Sequence, residues 1–393
     1  MGGVRITGAP SLDLSFMTPG ALPSGVAFTR ASTGTYFDAV GVLQTATTNT
    51  PRWDYDPVTH VLNGMLIEEA RTNVVVNSAN ASAATWSKVS GVVSVPVVTA
   101  NQITAPDGAL TASSVAYPTV VGAGAFSALT AITATASVAP YAFSVWLRGS
   151  VGGEQIYIYT TQAATTYYRS RVTLTTAWQR FSLITPNLTV ANWAFVIGCD
   201  LRDAGQTGTS AQTIYVWGGQ VEAGAFATSY IPTTAASATR AVETANLTPL
   251  GAWFNASAGA FVYEFDTLNS SSVGGGFSGG AFANVVYFTT AGNGVASNVA
   301  SVGQTIGASV VSATGIVQRM GCSYSTGRLA ACNNGLTVGT NSALSAAPFP
   351  WTTNMSFGCA PWSIANSQID GHLRRSRYWP RALSNSELQS VTV

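Results

Sequence analysis

Charge is what this 393-residue chain has least of. Asp, Glu, Lys and Arg together make up 8% of it, against roughly 25% in an ordinary soluble domain. The 17 basic and 16 acidic residues leave a net charge of +1, so no long-range field favours nucleic acid or an anionic membrane surface. Lys88 is the one lysine. With His60 and His372 as the only histidines, a histidine-based metal or acid–base centre is hard to build. Four cysteines are too few for a disulfide scaffold and are not in metal spacing. Cys199 and Cys359 sit in apolar runs and read as small core residues. Cys322 and Cys332 are equidistant from Gly327 in a hairpin-like stretch, so their thiols are expected to face each other across strands, bridged or not. Nor is there a run that would cross a membrane: the most apolar window, 129–147, is interrupted by Thr, Ser and Pro140. The N-terminus carries Arg5 but no apolar segment of the kind a secretory signal needs.

What replaces charge is Ala, Thr, Ser, Gly and Val. At 47% hydrophobic and 10% aromatic residues the chain can bury a core, which excludes disorder, and its length suits two or three domains. A surface this poor in charge is weakly protected against association, so an oligomer or larger particle is expected to cover much of it. The organisation reads as all-β. A Gly-rich arm (1–10) precedes a short strand at Leu12, Leu14 and Phe16, then a hairpin turning at 38–41. Residues 51–57 read as a loop of aromatics and carboxylates. Over 74–233, eight strand-like pieces (74–76, 92–98, 142–148, 155–159, 168–174, 179–184, 193–197 and 214–217) are separated by turn residues, the pattern of a jelly-roll sandwich. Beyond a small-residue linker, 261–266, 285–288 and 330–336 alternate as strands, 274–280 reads as a flexible glycine loop, and Ser384 with Glu387 forms a capping box for one short helical turn. The expected boundaries are 1–73 for a β-rich lead-in, 74–234 for the first module and 235–393 for the second.

The stretch 213–233 organises the rest. Ile214, Val216 and Gly218 alternate with Tyr215 and Trp217, as a strand does; Gly218-Gly219 is expected to bend it, and 229–233 to leave as an extended strand stopped by Pro232. Gly218 to Thr233 spells G-x-Q-x-E-x-G-x-x-x-T-S-Y-I-P-T, followed by Thr239-Arg240. This phrase resembles the closing strand of a β-sandwich module of tailed-bacteriophage fibre and head-spike proteins. The segment 64–73 (Gly-Met-Leu-Ile-Glu-Glu-Ala-Arg-Thr-Asn) and the segment 377–384 (Arg-Tyr-Trp-Pro-Arg-Ala-Leu-Ser) fit the same family. The resemblance implies a carbohydrate-binding-like jelly roll followed by a concanavalin A-like (laminin G-like) sandwich. It further implies a virion protein assembled in the host cytoplasm, with capsid or tail proteins and host cell-surface polysaccharide as partners and a homotrimer as the assembly. Thr29-Arg30-Ala31 and Thr239-Arg240-Ala241 echo each other, one before each sandwich.

An enzyme would need a carboxylate pair, a nucleophile triad or a metal cluster. Glu264 and Asp266, two apart on one strand, share a face and suit the spacing of a glycosidase pair. In concanavalin A-like glucanases, which this run resembles, a third acid follows; here Thr267-Leu268-Asn269 stands instead, so the expectation is no catalysis. Asp54 and Asp56 beside His60 offer oxygen ligands for a structural Ca²⁺; otherwise no cofactor is expected. Gly274 to Gly279 matches G-x-G-x-x-G literally but opens no helix, so a dinucleotide reading fails. The aromatics are the better lead, because sugars stack on flat rings while amide, acid and guanidinium groups bond their hydroxyls. The candidates are Trp351, Asn354, Trp362 and Asn366 in the second module, and Tyr167, Tyr168 and Arg169, with Arg171, in the first. Trp146, Trp178 and Trp217 are expected in the core. Taken together the reading is a non-enzymatic adhesin, with a purely structural decoration protein and a polysaccharide depolymerase as the alternatives.

Overall fold

The computed structural model describes residues 8–269, 273–279, 284–289, 294–299, 302–307, 315–341, 352–363 and 367–393. In chain order its strands are β1 (Leu12–Ser15), β2 (Val26–Thr29), β3 (Gly34–Phe37), β4 (Leu43–Ala46), β5 (Trp53–Tyr55), β6 (Leu62–Ile67), β7 (Arg71–Asn73), β8 (Ser87–Gly91), β9 (Val97–Ile103) and β10 (Ala112–Tyr117). Next come β11 (Phe126–Thr135), β12 (Tyr141–Gly149), β13 (Gln155–Gln162), β14 (Thr166–Thr173), β15 (Gln179–Ile184), β16 (Asn192–Asp200), β17 (Gln212–Ala223), β18 (Ala238–Arg240) and β19 (Thr244–Leu247). The last are β20 (Ala258–Phe265), β21 (Val273–Ser278), β22 (Asn284–Thr289), β23 (Gly294–Val299), β24 (Val302–Gly307), β25 (Gln318–Ser325), β26 (Arg328–Asn333), β27 (Gly339–Asn341), β28 (Asn354–Phe357) and β29 (Gly371–Trp379), with one helix, α1 (Asn385–Val391), among the described residues. The protein is an all-β pair of sandwiches, divided into unit 1 (1–41, 45–70 and 241–393) and unit 2 (42–44 and 71–240).

Unit 2 packs two antiparallel five-stranded sheets, β15-β12-β17-β10-β9 and β14-β13-β16-β11-β8. From β8 to β17 the chain keeps changing sheet, the winding of a jelly roll. Between the sheets lie Trp86, just before β8, and Phe143, Ile156, Ile158, Trp193, Phe195 and Val216; Ile156 with Ile158 and Trp193 with Phe195 are alternate residues of their strands, as a half-buried pleat requires. The apolar window 129–147 supplies most of β11 and much of β12, one in each sheet. Trp146 and Trp217 are buried as expected, but Trp178 is only half-buried and donates its indole N–H to the Thr104 carbonyl at 2.9 Å.

Of two expectations for the organising stretch, one holds and one is corrected. β17 runs on to Ala223, with the expected bend at Gly218-Gly219 present as a β-bulge: the register against β12 shifts between Trp146 opposite Trp217 and Ser144 opposite Gln220. The glycines are there for room: a Cβ on Gly218, whose φ is +64°, would lie 2.6 Å from the Trp146 ring, and one on Gly219 would lie 2.6 Å from Trp86. Residues 229–233 form no strand. They are hung on side chains instead, the Ile231 N–H donating to Gln220 Oε1 at 2.7 Å and the Tyr230 and Ser78 hydroxyls sharing a 2.6 Å bond. Glu222 accepts from the Thr228 N–H at 2.8 Å and from its hydroxyl at 2.7 Å. Asn73 completes the clamp: its Oδ1 accepts from the N–H groups of Val75 (3.0 Å) and Val221 (3.1 Å), and its Nδ2 donates to the carbonyls of Gly219 (3.1 Å) and Ile231 (2.9 Å). The phrase that carries the family resemblance is thus this unit's internal polar clamp, with β7 and β18 paired where the chain enters and leaves.

Unit 1 is a larger sandwich: β27-β26-β25-β20-β29-β6-β5, with β1 also on β29, faces β2-β19-β28-β21-β22-β23-β24. Strands from the lead-in complete both sheets, so this module is discontinuous in sequence and unit 2 is inserted between Ala70 and Ala241. Phe16, Phe28, Met65, Phe261, Tyr263, Phe277, Phe288, Met355 and Tyr378 fill the space between the sheets. Two stretches read as loops are strands. Residues 53–55 are β5, and the glycine run is the buried β21, where a Cβ on Gly274 would lie 2.7 Å from Phe265. The capping box at Ser384 and Glu387 is present and starts α1. The hairpin after β25 turns at Thr326-Gly327, a two-residue loop, so Cys322 faces Ala331 and Gly321 faces Cys332. That offset of one residue puts the two thiols on opposite faces of the sheet, and both are free, correcting the expectation that they face each other.

Candidate functional site

In unit 2 the pleat of two neighbouring strands decides which candidate residues meet. On β13, Ile156 and Ile158 enter the core, so Tyr157, Tyr159 and Thr161 take the other face. β14 pairs with it in a register that sets Tyr167 opposite Thr161, Arg169 opposite Tyr159 and Arg171 opposite Tyr157. The three consecutive candidates are therefore split. Tyr168 points to the core and stacks on Trp193, ring centroids 5.8 Å apart. Tyr167 and Arg169 lie on the outer face with Arg171, Tyr167 half-buried and both arginines exposed.

Behind that row stand two buried carboxylates that the sequence reading did not single out. Asp200, at the end of β16, accepts the Tyr167 hydroxyl at 3.2 Å and the Arg202 guanidinium at 2.8 and 2.6 Å. The turn that follows brings Asp203 to Arg169 at 3.0 Å. The Arg202 guanidinium lies 3.7 Å above the Phe126 ring, and Arg171 lies 5.7 Å from the centre of Tyr157, both within cation–π range. Burial first and then the Asp200 charge push the Tyr167 phenol up, while the hydrogen bond to Asp200 holds Arg202 up. The outcome is a rigid sheet face that shows a ring and guanidinium forks to solvent, each carboxylate being engaged by a cation. Among the described residues both carboxylates of this face are committed to cations, which leaves the ring and the forks as its binding groups. Period-two alternation over 155–159 would have found Tyr157 and Tyr159. Asp200 and Asp203 carry no such signal, because only the strand pairing brings them beside β14.

The candidates in unit 1 are more dispersed. Trp362 packs edge-on against Tyr287, centroids 4.5 Å apart, and Asn354 begins β28 opposite Ser278. Trp351 and Asn366 lie outside the described residues. Glu264 and Asp266 each hold a separate cation: Glu264 accepts from Arg319 Nε at 3.1 Å, and Asp266 sits between His372 Nδ1 at 2.9 Å and Arg374 Nη2 at 3.3 Å. The other ring nitrogen, His372 Nε2, is 3.1 Å from Asp54. Burial works against a charged ring here, but the hydrogen bonds and charges of Asp266 and Asp54 outweigh it and raise His372 to about 9. An imidazolium clamped between two acids is a cross-strand tie rather than a general base.

The Ca²⁺ expectation is corrected on the same residues. Asp54 faces His372 and accepts the Phe37 N–H at 2.8 Å, whereas Asp56 caps its own turn through the N–H groups of Val58 and Thr59. The two carboxylates thus serve separate partners. Among the described residues no group of three or more His, Cys, Asp or Glu side chains is placed to hold a metal ion, and no helix is long and apolar enough to cross a membrane.

No protein family matches the sequence and no curated protein is significantly similar to it. Solved structures do match at low identity. A CBM40 domain of a Ruminococcus gnavus IT-sialidase bound to α2,3-sialyllactose is 18% identical over 35% of this chain and 82% of its own, with a TM-score of 0.29. The enzymatically active domain of tailspike protein 4 of bacteriophage CBA120 is 16% identical over 38% of this chain and 21% of its own, TM-score 0.28. Domains LG4-5 of mouse laminin α1 are 11% identical over 82% of this chain and 92% of their own, TM-score 0.26. Scores this low leave the architecture to be read from the strands themselves, which form two sandwiches.

Proposed function

We propose that the chain is a non-cleaving glycan adhesin of a tailed-phage virion, a head-fibre, tail-fibre or spike subunit. The observation that carries the adhesive part is the outer row Tyr167, Arg169 and Arg171 on β14, a half-exposed ring beside guanidinium forks on a rigid sheet. Sugar rings stack on such surfaces and their hydroxyls accept from such forks. The virion part rests on the motif resemblance of 64–73, 218–233 and 377–384, and on a charge content low enough to favour burial in a closed assembly such as a trimer. Copy number in that assembly would turn weak single sites into avidity. Support for the non-cleaving reading comes from Glu264 and Asp266, whose carboxylates are taken up by Arg319 and by His372 with Arg374.

The test incubates the full chain with host cells and with their isolated envelope polysaccharide, following binding and new reducing ends together. Saturable binding without new ends is expected, weakened several-fold by Tyr167→Ala at unchanged melting temperature. New reducing ends would make this a depolymerase. Silence in both channels would leave a decoration protein that touches other virion components alone.

A further inference from the structure

The charges on the outer face of unit 2 do not balance. Arg169, Arg171 and Arg202 stand there with Asp200 and Asp203. Arg202 is held by Asp200 through two short bonds, and Arg169 reaches Asp203 at 3.0 Å. Among the described residues no carboxylate lies within ion-pair distance of Arg171. Its guanidinium has the Tyr157 ring beneath it at 5.7 Å, and that ring is buried and pinned by the Thr207 N–H, which donates to its hydroxyl at 2.9 Å. An Arg laid on a fixed ring keeps its fork oriented and its N–H groups free toward solvent. In the following turn Gln206 is buried, with its Oε1 taken by the Asp200 N–H at 2.9 Å and its Nε2 without a hydrogen-bond partner. A buried donor left open is uncommon and asks for an acceptor. In the same turn Asp203 Oδ2 is likewise buried without a hydrogen bond, though it lies 3.0 Å from the Arg169 guanidinium; with both carboxylates engaged by cations, what this face offers at its surface is the exposed fork of Arg171.

We infer that this face takes an acidic glycan, one bearing a carboxylate, sulfate or phosphate group, and that Arg171 is the residue that pairs with that group. The inference rests on the adhesion reading above and adds the ligand class. Sugar hydroxyls both donate and accept, so a neutral saccharide leaves half its capacity unmet on a face of donors, whereas an anion only accepts. A guanidinium fork fits all three anionic groups through two parallel N–H bonds. The competing account is that Arg171 merely charges an edge strand, β14 having a partner on one side only, and so discourages edge-to-edge association.

The experiment presents the full chain with a panel of matched glycans: uronate, sialylated, sulfated and phosphorylated members, each beside its neutral parent. At least one acidic member is expected to bind about tenfold tighter than its parent, an advantage that shrinks as salt is raised. Arg171→Ala should abolish that tenfold preference without moving the melting temperature, and Arg171→Lys should restore part of it. Equal binding of acidic and neutral partners overturns the ligand class while leaving adhesion standing, and a preference that survives Arg171→Ala overturns Arg171 as the residue that pairs with the anion. Binding to no member of the panel overturns both. If Arg171→Ala changes only the association state, the edge-charge account replaces this one.

Discussion

In unit 1, Arg30, Arg52 and Glu243 are wholly buried and joined into one ionic cluster with Glu68, whereas in unit 2 most of the clamp is the uncharged Asn73, Gln220, Thr228 and Tyr230, set around the buried Glu222 and Arg240. Arg30 donates to Glu243 at 2.7 Å, and Arg52 donates to both Glu68 and Glu243. Two guanidinium and two carboxylate groups cancel, which is the condition under which ions survive in an apolar interior. The Thr-Arg-Ala echo marks the difference. Arg30 donates to the Glu243 carboxylate, and Arg240 donates to the hydroxyls of Thr228 (3.1 Å) and Ser229 (3.0 Å), which belong to the clamp. The same three letters therefore serve an ion cluster in one sandwich and a hydroxyl clamp in the other. An ionic cluster fails when one member is lost; a clamp that spreads its bonds over many amide and hydroxyl groups around Glu222 and Arg240 fails by degrees.

The sharpest break of that comparison is Glu243→Ala. It leaves Arg30 and Arg52 buried with a single carboxylate, Glu68, between them, and should destabilise unit 1 by about 4 kcal/mol. Urea unfolding would read the loss, and hydrogen exchange followed by mass spectrometry would place it. Protection should fall across unit 1 and hold in unit 2; a loss below about 1 kcal/mol would mean that the cluster is far better solvated than its burial implies. Asn73→Ala is the counterpart. All four hydrogen-bonding positions of that amide are used, so its removal orphans two N–H groups and two carbonyls. With water entering part of the gap, the expected cost is about 2–3 kcal/mol, confined to unit 2. If Asn73→Ala costs more than Glu243→Ala, the ranking of ionic over neutral clamps is reversed.

Strand periodicity made the all-β class and most of the unit 2 strands legible, since 179–184 is β15 and 142–148, 155–159, 193–197 and 214–217 fall inside β12, β13, β16 and β17. The losses have physical causes. β8, β10 and β11 are mostly small residues, Ser, Ala and Thr above all, where little contrast of polar and apolar residues marks the alternation. Glycine in β21 reads as a loop in one dimension but packs under aromatic rings in three. The stretch 229–233 reads as a strand because Tyr230 and Ile231 are strand formers ahead of a proline, though its bonds go to side chains. Of the candidates on β14, Tyr167 and Arg169 fall on the outer face and Tyr168 on the core face, a split the sequence does not show, since the neighbours of three consecutive residues depend on which of them faces the core. The buried Arg52 and Glu243 carry no pattern at all; two charges 191 positions apart become partners only when the lead-in and the second module share a sandwich.

A smaller difference between the units should appear on titration toward alkali. In unit 1, the His372 ring is raised to about 9 against the burial cost by Asp266 and Asp54, and the Asp370 carboxyl is pushed to about 8, by burial first and by the neighbouring Glu69 charge next. Both groups hold their proton more tightly folded than unfolded. Their contributions to stability are therefore complete below their ordinary values, 6.5 for the imidazole and 3.8 for the carboxyl, and are lost as the pH rises through about 9 and about 8. In unit 2 the raised groups are Tyr117, Tyr159, Tyr167 and Tyr230 with Cys199, lifted by burial from ordinary values of 10.0 and 9.0, and Arg202, lifted further by its hydrogen bond to Asp200, so their losses begin only at the top of that window or above it. Between neutral pH and about 9, unit 1 should lose on the order of 2 kcal/mol while unit 2 stays level, seen as faster amide exchange, corrected for the intrinsic rate, in unit 1 alone. His372→Gln should flatten most of the change and leave the part that belongs to Asp370. A parallel decline of both units, or an undiminished decline in the His372→Gln chain, would show that the alkaline weakness lies elsewhere than in the acid–imidazolium tie between β5 and β29.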